Sequence, residues 1–135
     1  RRIIMNISTH LTWSELACKD GTVYPYPNRV NQLAAMFECV RALYNLPITL
    51  LSAYRTPEWN RKIGGARNSQ HVQGRALDLR SPTGVKLEQF FTDIHSHVDE
   101  FGIRGLGLYP TFIHIDCRPS DRLVSWYGAG KKDDK

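Results

Sequence analysis

The sequence predicts an α+β fold, with a mainly antiparallel central sheet and helices flanking it. Three observations carry this expectation. Two long stretches repeat apolar residues at three- and four-residue steps, the period of a helix that buries one face. Several shorter runs are alternating or continuously apolar, as half-buried and buried strands are. The two kinds of segment follow one another without the regular strand–helix–strand rhythm of a parallel sheet. The 135 residues, 41% of them hydrophobic, suffice to bury one core without disulfide staples.

Each element has its own signal. Thr12-Trp13-Ser14-Glu15 has capping-box spacing, so a short helix is predicted to begin near Trp13. The stretch 21–27, with Pro25 and Pro27, reads as turn and extended loop. Over 28–45, Val30, Leu33, Ala34, Phe37, Val40, Ala42 and Leu43 fall on one helical face. Pro47 ends that helix, and 48–54 reads as a buried strand. Thr56-Pro57 supplies an N-cap and a proline at the first helical position, opening a helix near Glu58 that Gly64-Gly65 stops. A polar loop over 68–73 leads into an alternating strand over 75–80. Leu87, Phe90, Phe91, Ile94, Val98 and Phe101 define a second long helix ending at Gly102. Two strands, 104–109 and 111–117, turn at Pro110, and Leu123, Val124 and Trp126 suggest a last short strand. One domain is expected over 1–135, its core from about 10 to 126, with 127–135 a solvated tail ending in Lys131-Lys132-Asp133-Asp134-Lys135.

Composition narrows the function. The net charge of +5 favours an anionic partner or surface. The basic residues are spread along the chain and accompany no nucleic-acid-binding motif, so no nucleic acid is expected as partner. Bacterial cell wall, with its free carboxylates, is an equally good counterion. No apolar run approaches the ~20 residues of a transmembrane helix. No secretory apolar segment is visible, and the chain opens at Arg1 without a methionine, so a removed leader or upstream unit stays open. Cys18, Cys39 and Cys117 are odd in number and form no C-x-x-C pair, which argues against a cysteine zinc site and favours three reduced thiols.

The chemistry concentrates in two blocks, Ser69-Gln70-His71-Val72-Gln73-Gly74-Arg75-Ala76-Leu77-Asp78 and Phe112-Ile113-His114-Ile115-Asp116. Alternate side chains of a strand share a face. Ile113 and Ile115 therefore point to the core, while Phe112, His114 and Asp116 point into a cleft. Asp78 shares a face with Ala76 on its own strand, and His71 comes from the loop entering it. Two imidazoles and a carboxylate can thus converge on one Zn²⁺. Three protein ligands leave a fourth position open, the mark of a catalytic rather than a structural zinc.

The same blocks, with Ser52-Ala53-Tyr54-Arg55-Thr56-Pro57 and Gly107-Leu108-Tyr109-Pro110 before the second, resemble the ordered motifs of the D-alanyl-D-alanine metallopeptidases. That superfamily also holds lysostaphin-type enzymes and the hedgehog signalling domain. Ser8-Thr9-His10-Leu11-Thr12-Trp13-Ser14-Glu15 is similar to the opening of its small murein endopeptidase and phage endolysin branch. The resemblance runs from about His10 to Trp126. It implies a hedgehog/DD-peptidase-like fold, one zinc per chain on His71, Asp78 and His114, and hydrolysis of peptidoglycan peptides beside a D-amino acid.

Further roles follow from the resemblance. Arg55 matches an arginine that holds a substrate carboxylate or the developing oxyanion; a structural ion pair is its other reading. Several branches carry an acid three residues before the last histidine, where this chain has Thr111. Asp116 matches an H-x-D ending and serves either as general base or as the partner that orients a ligand. Ser69 orients the His71 loop, and Tyr109, Trp126 and Tyr54 either line a substrate groove or pack in the core. His10 either enters the cleft or bonds locally at a helix start, and His95 and His97 are surface residues. The expected protein is a monomeric murein endopeptidase, periplasmic, extracellular or phage-encoded for lysis or the virion. A D-Ala-D-Ala carboxypeptidase and a zinc-containing module without catalysis are the alternatives.

Overall fold

The computed structural model describes residues 5–129. It opens with a hairpin, β1 (Asn6–Ser8) against β2 (Leu11–Thr12), whose strands are too short to leave an alternation in the sequence. Thr12 then caps α1 (Trp13–Leu16): its hydroxyl accepts from the Glu15 N–H, and the Glu15 carboxylate accepts from the Thr12 N–H at 2.8 Å. α2 (Val30–Ala42) buries Val30, Leu33, Ala34, Met36, Phe37 and Val40. It is shorter at both ends than the expected 28–45. Residues 27–29 form a turn, and Asn45 adopts a left-handed φ of 54°, which ends the approach to Pro47.

β3 (Leu50–Ser52) occupies only the middle of the stretch read as a strand, and its residues are half-buried rather than buried. It is an edge strand, and its pairing shifts register between Leu50 and Ser52. α3 (Pro57–Lys62) follows as expected, with the Thr56 hydroxyl accepting from Trp59 N at 3.0 Å. β4 (Ala76–Leu79) is buried on both faces. The second long helix is two: α4 (Leu87–His95) and α5 (Val98–Phe101), broken at Ser96-His97. There the Ser96 hydroxyl donates to Thr92 O at 3.0 Å and His97 Nδ1 approaches Asp93 O at 2.8 Å. Side chains thus compete for the carbonyls that would continue the helix.

β5 (Gly105–Leu108), β6 (Ile113–Asp116) and β7 (Val124–Tyr127) complete a five-stranded sheet of order β3-β4-β6-β5-β7. Its pairs are antiparallel except β5 with β7, which is parallel because a long return after β6 carries the chain past β5. β7 runs through Tyr127, so the strand reaches into the segment expected as tail. Residues 130–135, with the lysine-rich ending, lie outside the described residues. The core packs on one face of the sheet, where Phe37 of α2 and Phe90 of α4 are fully buried together with Leu77, Leu79, Leu106 and Ile113 of the strands. Among the described residues no helix is long and apolar enough to cross a membrane.

Register decides what the other face carries. Ser52, Asp78, His114, Gly107 and Trp126 are successive cross-strand partners from β3 to β7. The next row holds Ala76, Asp116, Gly105 and Val124. A slip by one residue in β4 or β6 would turn Asp78 or His114 into the core.

Candidate metal centre

Asp78 and His114 are directly opposite on neighbouring strands, and His71 enters from the loop before β4. His71 Nε2 and His114 Nδ1 each lie 3.1 Å from the same oxygen, Asp78 Oδ1. The three donor atoms all fall within 4.8 Å of one another, and the residues are buried. Donors on one tetrahedral zinc with bonds of ~2.1 Å would stand about 3.4 Å apart, close to these separations.

The rings are held by their far nitrogens. His71 Nδ1 is 2.7 Å from Ala53 O, which can only accept, so Nδ1 carries the hydrogen and Nε2 offers its lone pair to the centre. His114 Nε2 is 2.7 Å from Asp116 Oδ2, which leaves Nδ1 facing inward. Burial lowers the His71 imidazole below its ordinary value and outweighs the pull of Asp78, so the ring is neutral at pH 7. A lone pair and a carboxylate oxygen thus meet at 3.1 Å with no proton between them, a contact that a cation relieves. The donor set fits a divalent metal.

Burial also acts to lower His114, yet its hydrogen bonds to Asp116 and Asp78 win and lift it to about 9. Burial would raise Asp78, but the two imidazoles hold it well below the usual carboxylate range. Asp116 is likewise held low against its burial by Arg118 and His114.

The His71 loop is clamped from behind. The Tyr24 and Tyr26 hydroxyls donate to Gly74 O and Val72 O at 2.6 and 2.9 Å, and Arg29 Nη1 donates to Gln73 O. Gly74 takes a φ of +70°, and a Cβ there would stand 2.3 Å from the Tyr26 ring. Ser69 Oγ accepts from His71 N at 3.1 Å inside the loop. Tyr54 packs edge-on against Tyr24 and Tyr26, away from the cleft.

The centre opens into a cleft of about 670 Å³. Leu51, Ile63 and Ala66 line one side, Phe112, Val124 and Trp126 the other, and Ser69, Tyr109, Arg55 and Arg118 supply polar groups. Trp126 Nε1 donates to the Tyr109 hydroxyl at 2.9 Å, and Tyr109 stacks on Phe112 with ring centres 4.4 Å apart. Gly107 makes room: a Cβ there would come within 2.6 Å of the Trp126 indole.

Arg55 is buried beside the centre. It donates to Ser52 Oγ, Asn60 Oδ1 and Asp78 Oδ2 at 3.2, 3.0 and 3.4 Å, the last being the carboxylate oxygen turned away from the histidines. Asp116 shares a sheet face with His114 but has no exposed surface and does not line the cleft. Its Oδ1 accepts from Arg118 N and Nε at 3.1 and 2.8 Å, and its Oδ2 from Arg118 Nη2 and His114. A Cβ on Gly105 would lie 2.2 Å from this carboxylate. His10 pairs with Glu38 at 2.7 Å and does not line the cleft; Thr111 and His95 are exposed. Cys18, Cys39 and Cys117 are unpaired.

Sequence reasoning missed Arg118, Asn60 and the two glycines of β5. Arg118 had a usable signal, because it stands two residues past Asp116 and closes an H-x-D-x-R run. The Gly105-Leu106-Gly107 alternation was equally legible as close approach on one sheet face.

The sequence profile of the peptidase M15 family matches residues 8–116. The probable peptidoglycan L,D-endopeptidase MepK of Haemophilus influenzae is 34% identical over 94 residues, 64% of this chain and 46% of that protein. The chain therefore spans less than half the length of this relative.

Proposed function

The chain belongs to the peptidase M15 family, and from that premise we propose that it is a zinc-dependent peptidase acting on peptidoglycan, an endopeptidase at cross-link or stem-peptide bonds beside a D-amino acid. The observation that carries the reading is the convergence of His71 Nε2, Asp78 Oδ1 and His114 Nδ1 at the floor of an open cleft. These residues would hold one zinc ion. Bound there, zinc would supply Lewis acidity, polarising a scissile carbonyl and acidifying an attacking water.

The chain's own groups then divide the work. Asp116 fixes the orientation of His114, and Arg118 keeps Asp116 ionised and in place. Its complete enclosure suits this orienting role better than that of a general base, which must reach the substrate. Arg55 fixes Asp78 and spends three of its five N–H groups on protein partners. The other two can meet the carbonyl oxygen as it gains charge. Ser69, Tyr109 and Trp126 would border the bound peptide. All three donors come from one chain, so a monomer suffices. The substrate places the protein in the periplasm, outside the cell, or in phage lysis or the virion.

A second reading has one observation in its favour. Among the described residues lining the cleft the only carboxylate is Asp78, itself a ligand, as a zinc-bearing module without catalysis would have it. Digestion of purified sacculi by the zinc-loaded protein decides among the readings. Cross-linked dimers should disappear as monomers accumulate, and a chelator should stop this until zinc is restored. Release of free D-alanine with intact dimers would make it a carboxypeptidase, and unchanged sacculi would leave the binding module.

A further inference from the structure

Arg118 is the cleft arginine with a nitrogen to spare. Its Nε and Nη2 form a fork on the fully buried Asp116 carboxylate, both at 2.8 Å. Its guanidinium carbon lies 5.3 Å from the centre of the Trp126 ring. These contacts fix the guanidinium plane, so little side-chain entropy remains to be lost on binding. Nη1 has no hydrogen-bond partner among the described residues, and Arg118 lines the cleft with 24% of its side chain exposed. Arg55, by contrast, has a protein partner on every guanidinium nitrogen.

Charge points the same way. Arg55 and Arg118 balance Asp78 and Asp116, so a divalent cation on the three donors would leave the cleft cationic. We propose that Arg118 is the anion-binding residue of this cleft, taking a free carboxylate of the peptide substrate through Nη1 beside the Trp126 indole. This deepens the peptidase reading and rests on it. It separates two tasks that sequence alone assigned to Arg55: Arg118 recognises the substrate carboxylate, and Arg55 serves Asp78 and the reacting carbonyl.

The test uses zinc-loaded protein and synthetic cross-linked stem peptides, each with one carboxylate amidated, against the fully free peptide. For one amidated peptide the wild type should show a KM raised about 10- to 100-fold, the range for losing a charged hydrogen bond, with the smaller change in kcat. Assayed at saturating zinc, so that loss of the fork on Asp116 does not deplete the metal, Arg118→Gln should erase that preference, and Arg118→Lys should restore part of it. Calorimetry with the matching product peptides, free and amidated, gives the same comparison without turnover. No preference among the peptides for the wild type, or a wild-type preference kept by Arg118→Gln, overturns the proposal. If no peptide is cut, the peptidase reading fails, and the calorimetric comparison still decides whether Arg118 binds a carboxylate.

Discussion

Replacing His114 with alanine should reduce bound zinc from about one ion per chain to almost none and lower peptide hydrolysis at least about 10³-fold. The reason is geometric. His114 supplies one of three donors, and the other two, His71 Nε2 and Asp78 Oδ1, cannot alone define a tetrahedral site. The change also leaves the buried Asp78 carboxylate with one imidazole fewer, so His114→Ala should lose stability as well. His114→Gln separates the two effects, because its amide fills much of the ring's volume and can still donate to Asp116. It should unfold near the wild-type denaturant midpoint, yet bind no zinc and remain inactive. Wild-type zinc content in both variants would remove His114 from the site.

Asp116→Asn should weaken zinc binding about 10- to 100-fold, the range for losing a group that orients a metal-ligating histidine. In the structure Asp116 Oδ2 receives the His114 Nε2 hydrogen, while Arg118 occupies the rest of the carboxylate. An asparagine keeps one oxygen for one of these donors and offers an NH₂ to the other, so ring and arginine cannot both be satisfied. Hydrolysis should therefore fall at limiting zinc and recover when zinc is raised above the weakened dissociation constant. A general base would behave oppositely: metal affinity would hold and excess zinc would restore nothing. Zinc titration followed by activity at saturating metal separates the roles, and an unrescued loss would return Asp116 to the reaction itself.

How much of this was written in the chain varies by element. The three donors were legible because strand alternation puts His114 opposite in sense to Ile113 and Ile115, and because the loop residue His71 sits just before an alternating strand. Their convergence was expected, but the strand pairing that produces it was not legible, since Asp78 faces His114 across the sheet and pairing register is not local information. The same alternation brought Asp116 to the right face but could not show Arg118 folding back to cover it. The helix break at Ser96-His97 was hidden because Val98 and Phe101 continue the apolar period past it. The parallel pairing of β7 with β5 also escaped, since a short apolar cluster carries no direction. The capping box at Thr12 and the Thr56-Pro57 helix start were read correctly, because caps are decided by residues within one turn.

The most direct measurement is a crystal structure of the zinc-soaked protein with anomalous data at the zinc edge. It should show a single strong peak ~2.0–2.2 Å from His71 Nε2, Asp78 Oδ1 and His114 Nδ1, its remaining side facing the cleft between Arg55 and Trp126. A peak elsewhere, or a fourth protein atom filling that side, would contradict the catalytic zinc site proposed for this chain.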